Sequence, residues 1–375
     1  MTYPEHDLLD GVTTRILETG RLAVSILERE GDAADTPPER TVVFLHDVLA
    51  SSLLFQEFLL HLPANARGIA VDLRGFGDSE NLPVDATRGV RDFSDDLHAT
   101  LHTLGLPSAH LVGWGLGGGV ALQFALDHPV QSLSLLAPVS PYGFGGTRPD
   151  GSLLTDDAAG SGAGLSSPEF VRRLIDRDTT DEAENSPRTL LRRAFVAWHG
   201  AAPHEDLWVD AMLATSTAGG NYPGDSVASE HWPGYAPGTT GVLNAVSPRW
   251  FDVSGIVALE AKPPVLWIHG ELDAIVSDTS FFDPGHLGAL GILPDWPGEE
   301  LAPAQPMVSQ TRAVLEAYRA DGGAVREIAL PDIGHTPHLE LPAAVRRDIL
   351  EHTGLLGGPA EPAPTTEQII LRSSD

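Results

Sequence analysis

The sequence has no cysteine, so disulfides, thiolate metal sites and cysteine nucleophiles are excluded from the start. Lysine is almost absent too: Lys262 is the single one among 23 basic residues. Against these stand 52 acidic residues, and the formal charge is −29. A surface of that sign repels nucleic acid and anionic membranes, so neither is an expected partner. A GC-rich coding sequence explains the arginine, alanine, glycine and proline bias; adaptation to high salt is the rival explanation. Long apolar runs are missing as well. Thr41–Leu45 and Pro264–Ile268 have strand length, far short of the roughly 18 apolar residues of a membrane span. The N-terminal Met1-Thr2-Tyr3-Pro4-Glu5-His6-Asp7 has neither a basic start nor an apolar signal core, and a cytoplasmic location is expected.

What is present is enough apolar sequence, 42%, for a substantial core. The first forty residues read as a hairpin, Val12–Glu18 and Arg21–Arg29 around Thr19-Gly20. Strands and helices then alternate. Strands are expected at Thr41–His46, Gly68–Leu73, His110–Gly113 and Ser132–Leu136, and helices at Leu53–Leu62, Arg91–Leu104 and Leu116–His128. Such alternation specifies a mostly parallel sheet with helices on both faces. It lapses from about 140 to 259, a stretch rich in Gly, Pro, Asp and Ser with helical patches at Ser167–Arg177, Arg188–His199 and Glu205–Ala214. Strand patterns return at Pro264–Gly270 and Val325–Leu330, with a last helix at Ala343–His352. The expected division is a core of 1–139 and 260–356, an inserted helical lid at 140–259, a rim loop at Ser277–Pro303 and a loosely held tail at 357–375.

The strongest local signal is Gly113-Trp114-Gly115-Leu116-Gly117, where a strand enters a helix through a glycine-lined turn. A dinucleotide loop fits poorly, because the run falls on the third central strand and its last glycines are badly spaced. Four other segments keep it company: Phe44-Leu45-His46-Asp47-Val48, Asp72-Leu73-Arg74-Gly75-Phe76-Gly77-Asp78-Ser79, Ile268-His269-Gly270-Glu271-Leu272-Asp273, and Gly334-His335-Thr336-Pro337-His338. In this order the five resemble the α/β-hydrolase fold superfamily of lid-bearing serine hydrolases, over roughly Thr13 to His352.

The resemblance implies a nucleophile elbow at Gly115, an acid at Asp273 and a general base and acid at His335, with oxyanion-hole amides at Leu116 and Val48. Two residues depart from the family pattern. Gly115 stands where the nucleophilic serine belongs, and Asp47 replaces a glycine beside the oxyanion loop, bringing negative charge to a site built to stabilise it. His46 is expected to brace that loop, and His338, His199, His204 and His231 to be solvated or packed, with no metal and no cofactor. Trp114, Trp198, Trp208 and Trp250 are the candidate substrate contacts. The implied activity is hydrolysis of an ester or lactone in a small apolar substrate. Gly115 leaves three forms open: a disabled serine hydrolase, an enzyme with native glycine that activates water or works as a lyase or isomerase, or a binding protein for a small ligand.

Overall fold

The computed structural model describes residues 8–32, 36, 38–197 and 204–356. Trp198 and His199, the end of the helix expected over Arg188–His199, and the tail from 357 lie outside the described residues.

Eight strands form the main sheet: β1 (Val12–Glu18), β2 (Ala23–Arg29), β3 (Thr41–Leu45), β4 (Arg67–Val71), β5 (His110–Trp114), β6 (Ser132–Leu136), and, after a two-stranded ribbon of β7 (Ser226–Ala228) and β8 (Tyr235–Pro237), β9 (Val265–Gly270) and β10 (Val325–Leu330). Their order is β1-β2-β4-β3-β5-β6-β9-β10. The hairpin β1–β2 is antiparallel and joins β4 antiparallel; from β4 to β10 every pairing is parallel.

The continuous apolar runs are explained by burial on both faces. Along β3 the side chains alternate: Val43 and Leu45 enter one core with Ile69, Leu111 and Leu133, while Val42 and Phe44 enter the other with Ala70, Val112 and Leu266. Helices Arg91–Thr103, Leu116–Asp127 and Met307–Ala320 cover the first face through residues such as Phe93, Val120 and Leu315. On the second face lie Phe55, Phe58, Val345 and Ile349, from the segments Ser52–Leu60 and Pro342–His352.

Two of the expected helices differ in form. Leu53–Leu62 splits into a 3-10 turn, Ser52–Phe55, and a short helix, Gln56–Leu60. The helix expected from Arg188 is regular only over Pro187–Leu190, then widens at Leu191–Phe195 and straightens. There the chain bonds outward: Thr336 Oγ1 donates to the Phe195 carbonyl and Ala197 N to Glu340 Oε2, so tertiary partners replace helical ones.

The connections place the site. The chain passes from β3 to β4 on one side and then crosses to β5 on the other, so strand order reverses between β3 and β5. In open α/β sheets ligands bind at such a reversal, beyond the carboxyl ends of the strands. Leu45 pairs with Gly113 in the parallel register. Continuing each strand by two residues brings Asp47 alongside Gly115.

Gly117 holds this approach together. A Cβ there would overlap the Leu45 carbonyl and lie 2.8 Å from that of His46, so the helix rests directly on the end of β3. Gly117→Ala is expected to force them apart and cost about 1–3 kcal/mol, the usual penalty for overpacking. Urea denaturation of the variant measures it; unchanged stability would mean that helix and strand do not touch.

Candidate active site

At the end of β5 the backbone turns through Gly115, with φ +53° and ψ −114°, into the helix Leu116–Asp127. The left-handed φ is costly for residues with a side chain and free for glycine. Steric space points the same way: a Cβ on Gly115 would overlap the carboxylate of Asp47. That carboxylate therefore lies where the elbow's own side chain would begin.

Asp47 is held at both oxygens. Leu116 N donates to Oδ1 at 2.6 Å, and His335 Nε2 bonds Oδ2 at 2.9 Å. Beneath it, His46 Nδ1 donates to the Asp47 carbonyl at 2.7 Å while Nε2 accepts from Leu73 N at 3.0 Å. Those two bonds fix a neutral ring, in keeping with burial, which pushes the His46 pKa down. Thus His46 braces the loop, as the sequence suggests.

His335 sits on the loop after β10, 0% exposed. Its Nδ1 bonds Asp273 Oδ2 at 2.8 Å. The other oxygen of Asp273 accepts from Ile275 N and Val276 N at 2.7 and 2.9 Å. The His335 loop is itself tied down: Trp114 Nε1 donates to the His335 carbonyl at 2.8 Å, and Glu340 Oε1 accepts from Gly334 N at 3.0 Å. Asp47, His335 and Asp273 thus form one buried line, contributed by loops after β3, β10 and β9.

The electrostatics follow. Burial opposes a charged imidazole, but the Asp273 carboxylate, reinforced by Asp47, outweighs it, and the His335 pKa is pushed up to about 10. With a carboxylate at each nitrogen, the ring donates at both and keeps no lone pair. The resting His335 is an imidazolium, an acid rather than the base its family role implies. Next to it, His338 is buried and neutral, its pKa driven down to about 3 by burial and by the His335 charge.

Above Asp47 and Gly115 lies a cavity of about 300 Å³. Its walls are mainly apolar, with Val48, Leu116 and Phe282 from the sheet side and Phe170, Phe195 and Tyr222 from the segment between β6 and β9. The structure brings together Gly115, Asp273, His335, Leu116 and Val48 as the sequence reading groups them. Of the candidate tryptophans among the described residues, Trp114, Trp208 and Trp250, it puts none there. Trp114 is buried behind His335, Trp208 lines a separate cavity beside His338, and the Trp250 indole donates to the Gly238 carbonyl. The reason is hydrogen bonding: Trp114 and Trp250 use their N–H groups to tie loops together, which directs the rings away from the apolar cavity. Phe170, Phe195 and Tyr222 take their place.

Asp47 is the member that sequence reasoning underrated. Its signal is a pair of departures, glycine for serine at 115 and aspartate for glycine at 47, which compensate in volume. Elsewhere, His231 is less isolated than its spacing suggests: its Nε2 lies 3.3 Å from Asp156, beside Asp157, on an exposed surface. Asp157 already accepts from Thr155, Ser229 and Ala159, and the group carries no assignment.

The comparisons agree with this architecture. The family model for the alpha/beta hydrolase fold matches residues 40–284, and the chain belongs to that family. Among curated proteins it is similar to an AB hydrolase superfamily protein of Bacillus subtilis, 33% identical over 106 residues covering 27% of this chain and 39% of the relative. A putative carbamate hydrolase of Variovorax paradoxus is 38% identical over 102 residues, covering 27% of this chain and 38% of that protein. A probable lysophospholipase of Arabidopsis thaliana, 35% identical over 116 residues, is covered over 24% of its length and covers 29% of this chain. The chain therefore spans well under half the length of these relatives. Among solved structures, a putative aryl esterase from Burkholderia cenocepacia superposes with TM-score 0.55 at 18% identity, covering 92% of this chain and 98% of that one. An esterase from Exiguobacterium antarcticum also gives 0.55, at 17% identity and with 91% and 100% covered. Likeness at this identity establishes the fold alone.

Two outcomes are expected. Gly115→Ser, the change that would complete the serine motif, should not create an esterase, because its Cβ meets Asp47; it should cost about 1–3 kcal/mol. Only with Asp47→Gly as well should a serine reach His335, detected by labelling with a fluorophosphonate probe. Labelling of the single Gly115→Ser variant would show that Asp47 does not occupy that space. The second outcome concerns pH. Folding raises the His335 pKa from 6.5 to about 10, so its stabilising charge is complete below 6.5 and is lost as pH rises through 10. Urea midpoints should fall across that window, and in Asp47→Asn the decline should begin at the same pH but end at a lower one, with a smaller total loss. A flat profile in the parent between those limits would contradict a charged His335.

Proposed function

We propose that this chain is a hydrolase whose native residue at the elbow is glycine, with the carboxylate of Asp47 working beside His335 and Asp273 on a small, largely apolar substrate. The observation that carries this reading is the fit of Asp47 into the space left by Gly115, bonded to both His335 and the Leu116 amide. A serine enzyme disabled by one substitution would have an empty space at the elbow; here another acting group fills it. A pure binding module has no use for a buried acid–base line, whose charges are expensive to desolvate.

Hydrolase relatives support the reaction class, and the apolar cavity supports the substrate class. Ester and lactone bonds are the substrates the sequence suggests. The segment 140–259 serves as the lid, contributing Phe170, Phe195 and Tyr222 to the cavity wall. Asp273 orients His335 and supports its positive charge, while His335 passes protons during turnover.

Short-chain p-nitrophenyl esters, small lactones and other apolar electrophiles, followed by product analysis, test the reading. In the parent one of these should be hydrolysed. His335→Ala and Asp273→Asn should each lower kcat by about 10³- to 10⁴-fold, as removal of a member of such a line does. Phe170→Ala should raise KM more than it lowers kcat. Turnover indifferent to His335 and Asp273 would sink the assignment, and ligand binding without turnover would leave the binding-protein reading in its place.

A further inference from the structure

The Leu116 amide, one of the two oxyanion donors the resemblance implies, and the histidine that a serine-type attack on a carbonyl needs are both already engaged by Asp47. Leu116 N is bonded to Oδ1, and His335 Nε2 to Oδ2. A substrate carbonyl therefore meets an occupied donor, and a water meets a histidine without a lone pair. What the resting site does present to the cavity is the carboxylate itself, with lone pairs beyond its two hydrogen bonds. Carboxylate attack on an ester carbonyl gives an anhydride, which readily reverts. Attack on a saturated carbon with a leaving group gives an alkyl ester, which persists until water is activated.

We propose, resting on the hydrolase reading above, that Asp47 is the nucleophile, delivered from the loop after β3 instead of from the elbow, and that its substrates are small apolar molecules with an electrophilic saturated carbon, epoxides or alkyl halides. The ester that water cleaves is then one the protein makes from its own side chain.

The steps balance. A lone pair of Asp47 Oδ2 forms the bond to carbon as the carbon–oxygen or carbon–halogen bond breaks. The departing electron pair stays on the leaving atom. An epoxide oxygen then takes the proton of His335; a halide leaves as the anion, and that proton passes to solvent. Esterification removes the charge of Asp47, one of the two carboxylates that hold the proton on His335, so the ring now becomes a base. It accepts a proton from water as the water oxygen bonds to Cγ of Asp47. The electron pair displaced from the carbonyl collects on Oδ1, already in contact with Leu116 N. Collapse breaks the bond between Cγ and the alkyl oxygen. The alcohol takes the proton from His335, and the acid proton of Asp47 returns to the ring. The sum is one substrate and one water giving a diol from an epoxide, or an alcohol and acid from a halide. Every contact that blocks the serine route has a use in this one.

The test uses the full chain with styrene oxide, bromobutane and p-nitrophenyl butyrate. A single turnover with enzyme in excess, run in oxygen-18 water, should put the label into the Asp47 carboxyl and leave the first product unlabelled; peptide mass spectrometry locates it. In His335→Ala the ester should persist at Asp47, decaying at least about 100-fold more slowly than in the parent, the usual scale for loss of a general base. Asp47→Asn should show no adduct. The two electrophiles decide between ring opening and halide displacement. Label appearing at once in the product, or no adduct from either electrophile in the parent and in His335→Ala, overturns the proposal. If p-nitrophenyl butyrate is nevertheless hydrolysed by the parent and not by Asp47→Asn, the hydrolase reading stands with Asp47 in a different role. If no probe is turned over, both fall. The single-turnover experiment needs no variant and keeps its force should His335→Ala fail to fold.

Discussion

A single carboxylate, that of Asp47, bridges the Leu116 amide and the His335 ring, and the rest of the site is arranged around it. It can stand there only because residue 115 has no side chain, and its loop can come that close only because Gly117 lets the helix rest on β3. Neither residue is free to change alone. In most members of a fold the nucleophile's position is a property of one turn; here it belongs to the pairing of two neighbouring strand ends. The parallel register of β3 and β5 lines them up.

The energetic cost of such a line is desolvation. Two carboxylates and an imidazolium are buried together, leaving one net negative charge beneath an apolar cavity. Burial of this kind is tolerated when every polar atom is matched. Asp273 is matched by Ile275 and Val276 amides, Asp47 by that of Leu116, and the ring by both acids. The arrangement depends on both acids bonding the ring and changes character once one of them is esterified. A resting acid that becomes a base after its partner is esterified is the consequence of that coupling.

Much of the fold could be read from the chain. Thr41–Leu45, His110–Trp114 and Ser132–Leu136 are short, apolar and buried on both faces, which is what a parallel sheet requires. The helix Met307–Ala320 escaped because its buried face includes Gln310 and Thr311, which dilute the apolar period. Gln310 is buried for its hydrogen bonds to Ser140 and Thr147, partners about 160 residues away or more that no local window contains. The site was legible as positions, with Gly115, Asp273 and His335 converging. Its chemistry was less so, because the exchange of a serine at one strand end for an aspartate at the next is visible only once register is known. Trp114 and Trp250 misled for a related reason: their indole N–H groups are satisfied by the carbonyls of His335 and Gly238, so aromatic content alone did not locate the cavity.

The protonation state of His335 tests the central claim most directly, since only a carboxylate at Nε2 keeps both ring nitrogens occupied. Nitrogen-15 NMR of the labelled parent at neutral pH, with the His335 signal assigned by its loss in a substituted chain, reads that state without any substrate. An imidazolium with a proton on each nitrogen is expected. A neutral ring with a bare Nε2 would mean that the Asp47 carboxylate is not bonded there and that the site does not rest as described.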